Sequence, residues 1–86
     1  PILRSGPPLL SRSVTLAGYE DAIADRLTAL QAAYPEIEIG SYPTFAAEGA
    51  RVAVVASGYD PEGLEQVATA VQALAAAAGV TVIPTP

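Results

Sequence analysis

Residues 51–61 read Arg51-Val52-Ala53-Val54-Val55-Ala56-Ser57-Gly58-Tyr59-Asp60-Pro61, and the fold is decided there. Val52, Val54 and Ala56 alternate onto one side of an extended segment, and Ala53 and Val55 onto the other. A strand apolar on both sides is expected at the centre of its sheet. Gly58 to Gly63 then supplies a turn, with Asp60 a good N-cap and Pro61 the favoured first helical residue. Beyond it Leu64, Val67, Val71, Leu74 and Ala78 form one stripe of an amphipathic helix, widened by Ala68 and Ala75. The small alanines let such a helix lie close on a sheet. Gly79 is expected to cap the helix, and Val80 to Ile83 to make a short last strand stopped by Pro84 and Pro86.

Working back from residue 51, a loop carrying Pro43, Glu48 and Gly49 is expected, and before it a strand from Glu36 to Tyr42. There Ile37 and Ile39 point inward and Glu36 and Glu38 outward. Pro35 pushes the residue before it out of the α region and closes a helix running from Tyr19 to Tyr34. The apolar stripe of that helix is Tyr19, Ile23, Leu27, Leu30 and Tyr34, and Glu20, Asp21 and Asp25 occupy its first two turns, where the helix dipole favours carboxylates. Val14 and Leu16 alternate with Ser13 and Thr15 in a first strand, Ser11 to Ala17, ended by Gly18. The order strand, helix, strand, strand, helix, strand with right-handed crossovers predicts an α+β, ferredoxin-like split β-α-β sandwich (βαββαβ). Its four-stranded sheet carries both helices on one face.

Residues 1–10, Pro-Ile-Leu-Arg-Ser-Gly-Pro-Pro-Leu-Leu, hold three prolines and a glycine, and read as an extended arm or linker from a preceding domain. Residues 11–86 then form a single domain. The chain begins at Pro1 and not at Met, which suggests a processed product or a piece of something longer. Of its 86 residues 51% are hydrophobic and 15% charged, the balance of a core-forming chain. Four arginines and no lysine stand against nine Asp and Glu, a net charge of −5, which argues against a binder of nucleic-acid backbone. Without Cys there is no disulfide, thiolate metal site or cysteine nucleophile, and without His the usual general base is missing. The serines therefore have no partner for a hydrolase triad. No run approaches the roughly 20 apolar residues of a membrane span, and no basic-then-apolar leader is visible.

Gly40-Ser41-Tyr42-Pro43 is the best candidate for a functional patch. Gly40 permits a bulge or close backbone approach, and Tyr42 offers a ring with a hydroxyl. The plainer reading is a strand exit whose Tyr caps the core. Arg12 and Arg51 are expected on the open face of the sheet, meeting an anionic ligand or, more simply, pairing with Glu36 or Glu38 across strands. Glu36 and Glu38 share a strand face without a third ligand, so a solvated face accounts for them better than a metal site. A one-layer sheet-and-helix domain leaves one sheet face bare, here with Ala53, Val55 and Tyr42. That face is expected to be covered by another chain, another domain or the arm of residues 1–10.

Ser11-Arg12-Ser13-Val14, Gly18-Tyr19-Glu20-Asp21-Ala22-Ile23-Ala24 and above all Glu38-Ile39-Gly40-Ser41-Tyr42-Pro43 after a helix ending in Tyr34-Pro35 carry a family resemblance. Together with Gly6-Pro7-Pro8-Leu9-Leu10-Ser11-Arg12 they resemble the small domain that follows the molybdopterin-binding-fold domain in CinA-like (competence/damage-inducible) proteins. A counterpart lies beside the corresponding domain in some eukaryotic FAD synthases. The resemblance implies a cytoplasmic, non-catalytic accessory domain that docks on the preceding molybdopterin-binding-fold domain or supports a homodimer. The parent's upstream domain would bind a molybdopterin-like or nucleotide ligand with a divalent metal; this piece would hold no cofactor, no metal and no catalytic residue, and engage neither nucleic acid nor membrane. The candidate interface for such docking is the set read above from the residues themselves: Gly40, Ser41, Tyr42, Pro43, Arg12 and Arg51. Relatives are described as KH-like, but the Gly-x-x-Gly clamp of a KH domain is absent. A free-standing small-ligand-binding regulatory module of the same fold is the alternative.

Overall fold

The structure, a computed structural model, describes residues 9–47 and 49–83. β1 (Leu10–Ala17) leads through a single 3-10 turn (Glu20–Ala22) into α1 (Ala24–Ala33); β2 (Glu38–Ala46) and β3 (Gly49–Gly58) follow, then α2 (Pro61–Ala77) and β4 (Thr81–Ile83). The sheet has four strands in the order β2-β3-β1-β4, and every neighbouring pair is antiparallel. This is the expected α+β, ferredoxin-like arrangement, with β3, the strand apolar on both sides, in an inner position.

The alternation of each strand decides which side meets the helices. Val14 and Leu16 on β1 and Val52, Val54 and Ala56 on β3 are buried together with Ile23 and Leu27 from the first helical region and Leu64, Val67, Ala68, Val71 and Ala75 from α2. Among the described residues no buried side chain is polar or charged. α2 is anchored at both ends by its own sequence. The Asp60 side chain accepts the Glu62 N–H at 3.2 Å, and Pro61 occupies the first turn. At the other end Gly79, at φ +76°, reverses the chain; its N–H donates to the Ala76 carbonyl and that of Val80 to the Ala75 carbonyl, a complete Schellman closure.

Four expectations are corrected by this arrangement. The helix does not run continuously from Tyr19: neither Tyr19 nor Ile23 has a side chain able to cap, so a 3-10 turn precedes α1, and Tyr19 stands exposed instead of on the buried stripe. Pro43 is not in a loop. β2 continues through it to Ala46, which pairs with Gly49, so neither Pro43 nor Gly49 belongs to the expected loop. β2 is an edge strand, and the Ile39 N–H points off that edge to the Gln31 side chain; two-residue alternation gives position 43 the same direction, where a missing N–H costs no ladder bond. Glu36 lies in the turn before β2, not on a strand face shared with Glu38. Leu10, finally, belongs to β1 opposite Gly58; residues 1–8 of the expected arm, like 84–86, lie outside the described residues. No described helix is long and apolar enough to cross a membrane.

Candidate functional site

Because successive residues of a strand point to opposite faces, the four-residue candidate patch is divided by β2 itself. Gly40 and Tyr42 project to the helix-free face, opposite Val55 and Ala53; Ser41 and Pro43 project to the helix side, opposite the buried Val54 and Val52. Arg51 is on the helix-free face, opposite Thr44 and Ala17. Arg12 is not. It lies opposite the buried Ala56 on the helix side and forms an ion pair with Glu65 of α2. The expected pairing of the two arginines with Glu36 or Glu38 is therefore replaced: Glu38 sits opposite Ser57, six residues along β3 from Arg51, and on the face away from Arg12. The six candidate residues do not converge on one site.

What does converge is the helix-free face. Tyr42, Ala53, Thr15 and Ile83 form one row across the whole sheet, and Gly40, Val55 and Ser13 form the next. The Tyr42 ring folds back along its own strand, so that a Cβ on Gly40 would stand 3.1 Å from its hydroxyl oxygen and 3.3 Å from its ring. Glycine at position 40 thus leaves the space in which the ring lies over the sheet. Tyr42 remains 59% exposed, which corrects the reading of it as a cap on the core. The centre of the face is small and uncharged, and its side chains are apolar or hydroxylic. It is suited to lying flat against another protein surface and not to gripping a small ion. Among the described residues no group of three or more Asp, Glu, His or Cys is placed to hold a metal.

On the helix side Ser41 donates to the Glu20 carboxylate and ties β2 to the 3-10 turn. Gln31 does more: its amide donates to the Tyr34 and Ile37 carbonyls, at 3.1 and 2.6 Å, and accepts the Ile39 N–H at 2.9 Å. The sequence reading passed over it, although its place four residues after the buried Leu27 sets a polar group beside the apolar stripe, where it needs partners. Two further features were also missed. At the turn end of β2 the exposed Phe45 and Tyr19 rings pair at 6.4 Å, tilted by 48°. At the opposite end of the sheet a groove of about 430 Å³ opens between the end of α1 and the start of α2, walled by Tyr34, Pro35, Glu36, Tyr59, Asp60 and Gly63.

A family model described as FAD synthase, middle domain, matches residues 8–83, which is nearly the whole chain. The chain belongs to that family. No curated protein and no solved structure matches it.

Proposed function

Taking FAD synthase middle-domain membership as the premise, we propose that this chain is a non-catalytic accessory domain that docks through the helix-free face of its sheet. A family described as the middle domain of an enzyme supports a setting between neighbouring domains. The single observation carrying the reading is the row Tyr42, Ala53, Thr15, Ile83, an uncharged stripe spanning all four strands with no described helix or strand layered over it. Removing such surface from water is worth about 25 cal/mol per Å², so a flat stripe of this kind favours cover. The partner in this proposal is a preceding α/β domain of the molybdopterin-binding fold, with a second copy of this chain as the other occupant the same stripe would accept. The nucleotide or pterin chemistry, with its divalent metal, then belongs to that neighbour, in the cytoplasm, and the stripe orients it.

The test is a substitution on the stripe that spares the core. Val55→Arg places a charge at the middle of the face. Titration calorimetry between this domain and the preceding α/β domain, expressed separately, is expected to show binding by the unmodified domain and a loss of at least tenfold with Val55→Arg. Undiminished association, with the variant folded by circular dichroism, rules the docking face out.

A further inference from the structure

Among the described residues, the groove between the two helix ends is lined by rings and carboxylates and by no cation. Tyr34 and Tyr59 supply aromatic surface, Pro35 and Ile37 apolar surface, and Glu36 and Asp60 the charge. Arg12, on β1, is engaged by Glu65. An occupant of matching chemistry would have an extended apolar backbone able to lie on tyrosine rings, and one positive charge. Proline-rich segments dock in aromatic-lined grooves for the first reason, since their backbone is already extended and little entropy is lost.

The chain itself contains such a segment. Residues 1–8 read Pro1-Ile2-Leu3-Arg4-Ser5-Gly6-Pro7-Pro8 and hold one of the four arginines of the sequence. They join the described chain at Leu9, one residue before Leu10, which pairs with Gly58; Tyr59 and Asp60 of the groove follow directly on Gly58. The same end of the sheet therefore presents both the attachment point and the groove. Paired strands lie about 5 Å apart, and eight extended residues reach about 25 Å, so the groove is well within range. The helix-free face competes for the same segment and offers Arg4 one carboxylate near the attachment point, Glu38 opposite Ser57, whereas the groove sets two, Glu36 and Asp60, beside two tyrosine rings.

We propose that the groove between α1 and α2 is the docking site of this chain's own residues 1–8, with Pro7 and Pro8 against Tyr59 and Tyr34 and Arg4 toward Glu36 and Asp60. Docking there fixes the direction from which the chain enters β1. It also leaves the helix-free face clear for a partner, so it stands whether or not that face docks.

The experiment is nuclear magnetic resonance on the full chain, uniformly labelled, read through contacts between proline ring protons and tyrosine ring protons. Cross-peaks from Pro7 or Pro8 to Tyr59 or Tyr34 are expected. Arg4→Glu should weaken them at least threefold, and adding Glu36→Arg to that variant should restore them, while the Leu16 and Val67 methyl signals stay in place to report an intact core. Cross-peaks from the segment to Tyr42 or Val55 would instead assign it to the helix-free face and overturn the proposal. So would an absence of contacts to any tyrosine ring, or cross-peaks indifferent to both charge changes.

Discussion

At the scale of single residues, the two ends of α2 allow a clean separation of causes. Gly79 has φ +76°, and a Cβ built there meets nothing within 4 Å. Alanine at this position pays only for the left-handed backbone, about 1–2 kcal/mol. For a domain of this size that lowers the melting temperature by roughly 4–8 °C per kcal/mol. Asparagine tolerates the conformation better, so Gly79→Asn should lose clearly less than Gly79→Ala in the same thermal melt. Equal losses from the two variants would mean that something other than backbone handedness matters at this turn. Asp60→Ala tests the opposite end: the Glu62 N–H loses its acceptor, at about 1 kcal/mol, measured as a lower denaturant midpoint with an unchanged slope. Gly63 sits next to the same cap, with Asp60 Oδ2 3.0 Å and Ile37 Cδ1 3.1 Å from where its Cβ would be, so its smallness serves packing and not flexibility.

At the scale of elements, the joint between α1 and β2 depends on one side chain. Gln31 serves two carbonyls and one N–H across the Tyr34 to Ile39 turn. Gln31→Leu keeps the bulk and removes all three bonds. The groups are only partly buried and water can reach them, so the expected cost is near the lower end of about 1–3 kcal/mol. The sharper readout is local: amide exchange at Ile39 should accelerate at least tenfold while Val54 on β3 is unchanged. This joint also marks where the sequence stops being legible. The apolar alternation of β1 and β3 and the helical stripe from Leu64 to Val71 read directly, because a buried face imposes a period on every residue it contains. β2 was cut short at Tyr42 because proline argues against a strand in general. Its tolerance at position 43 depends on β2 being an edge strand with that N–H site facing out, a fact of topology and not of local sequence. The candidate site was misread for a related reason. Arg12 is two residues from Val14, and that spacing already assigns it to the helix side, where Glu65 waits; a cross-strand pairing with Glu36 or Glu38 requires a register that the local sequence does not contain. Gln31 could be recognised only from its place beside the buried stripe of α1.

At the scale of the whole molecule, the two faces of the sheet differ in burial, one packed under the helices and the other carrying the exposed Tyr42, and substitutions should separate them. A domain of this length holds a margin of about 0.05–0.15 kcal/mol per residue, with the small size favouring the low end. Leu16 is wholly buried among helix side chains at the centre of the sheet. Leu16→Ala removes its packing and leaves a cavity, at about 2–5 kcal/mol, a large part of that margin. Tyr42 lies on the other face, more than half exposed, over a glycine. Tyr42→Ala should change the melting temperature of the free domain by no more than a few degrees, because most of its ring is already in water. If the helix-free face is a docking surface, the order reverses when a partner is present: aromatic side chains carry a disproportionate share of interface energy, so Tyr42→Ala should weaken association with the preceding domain by tenfold or more. Leu16→Ala, by contrast, should weaken it only in proportion to the fraction unfolded. Melting curves of the two variants, set beside their binding isotherms, check this. A Tyr42→Ala domain that melts far below the unmodified one, yet binds as well once folded, would show that this ring supports the sheet instead of facing a partner.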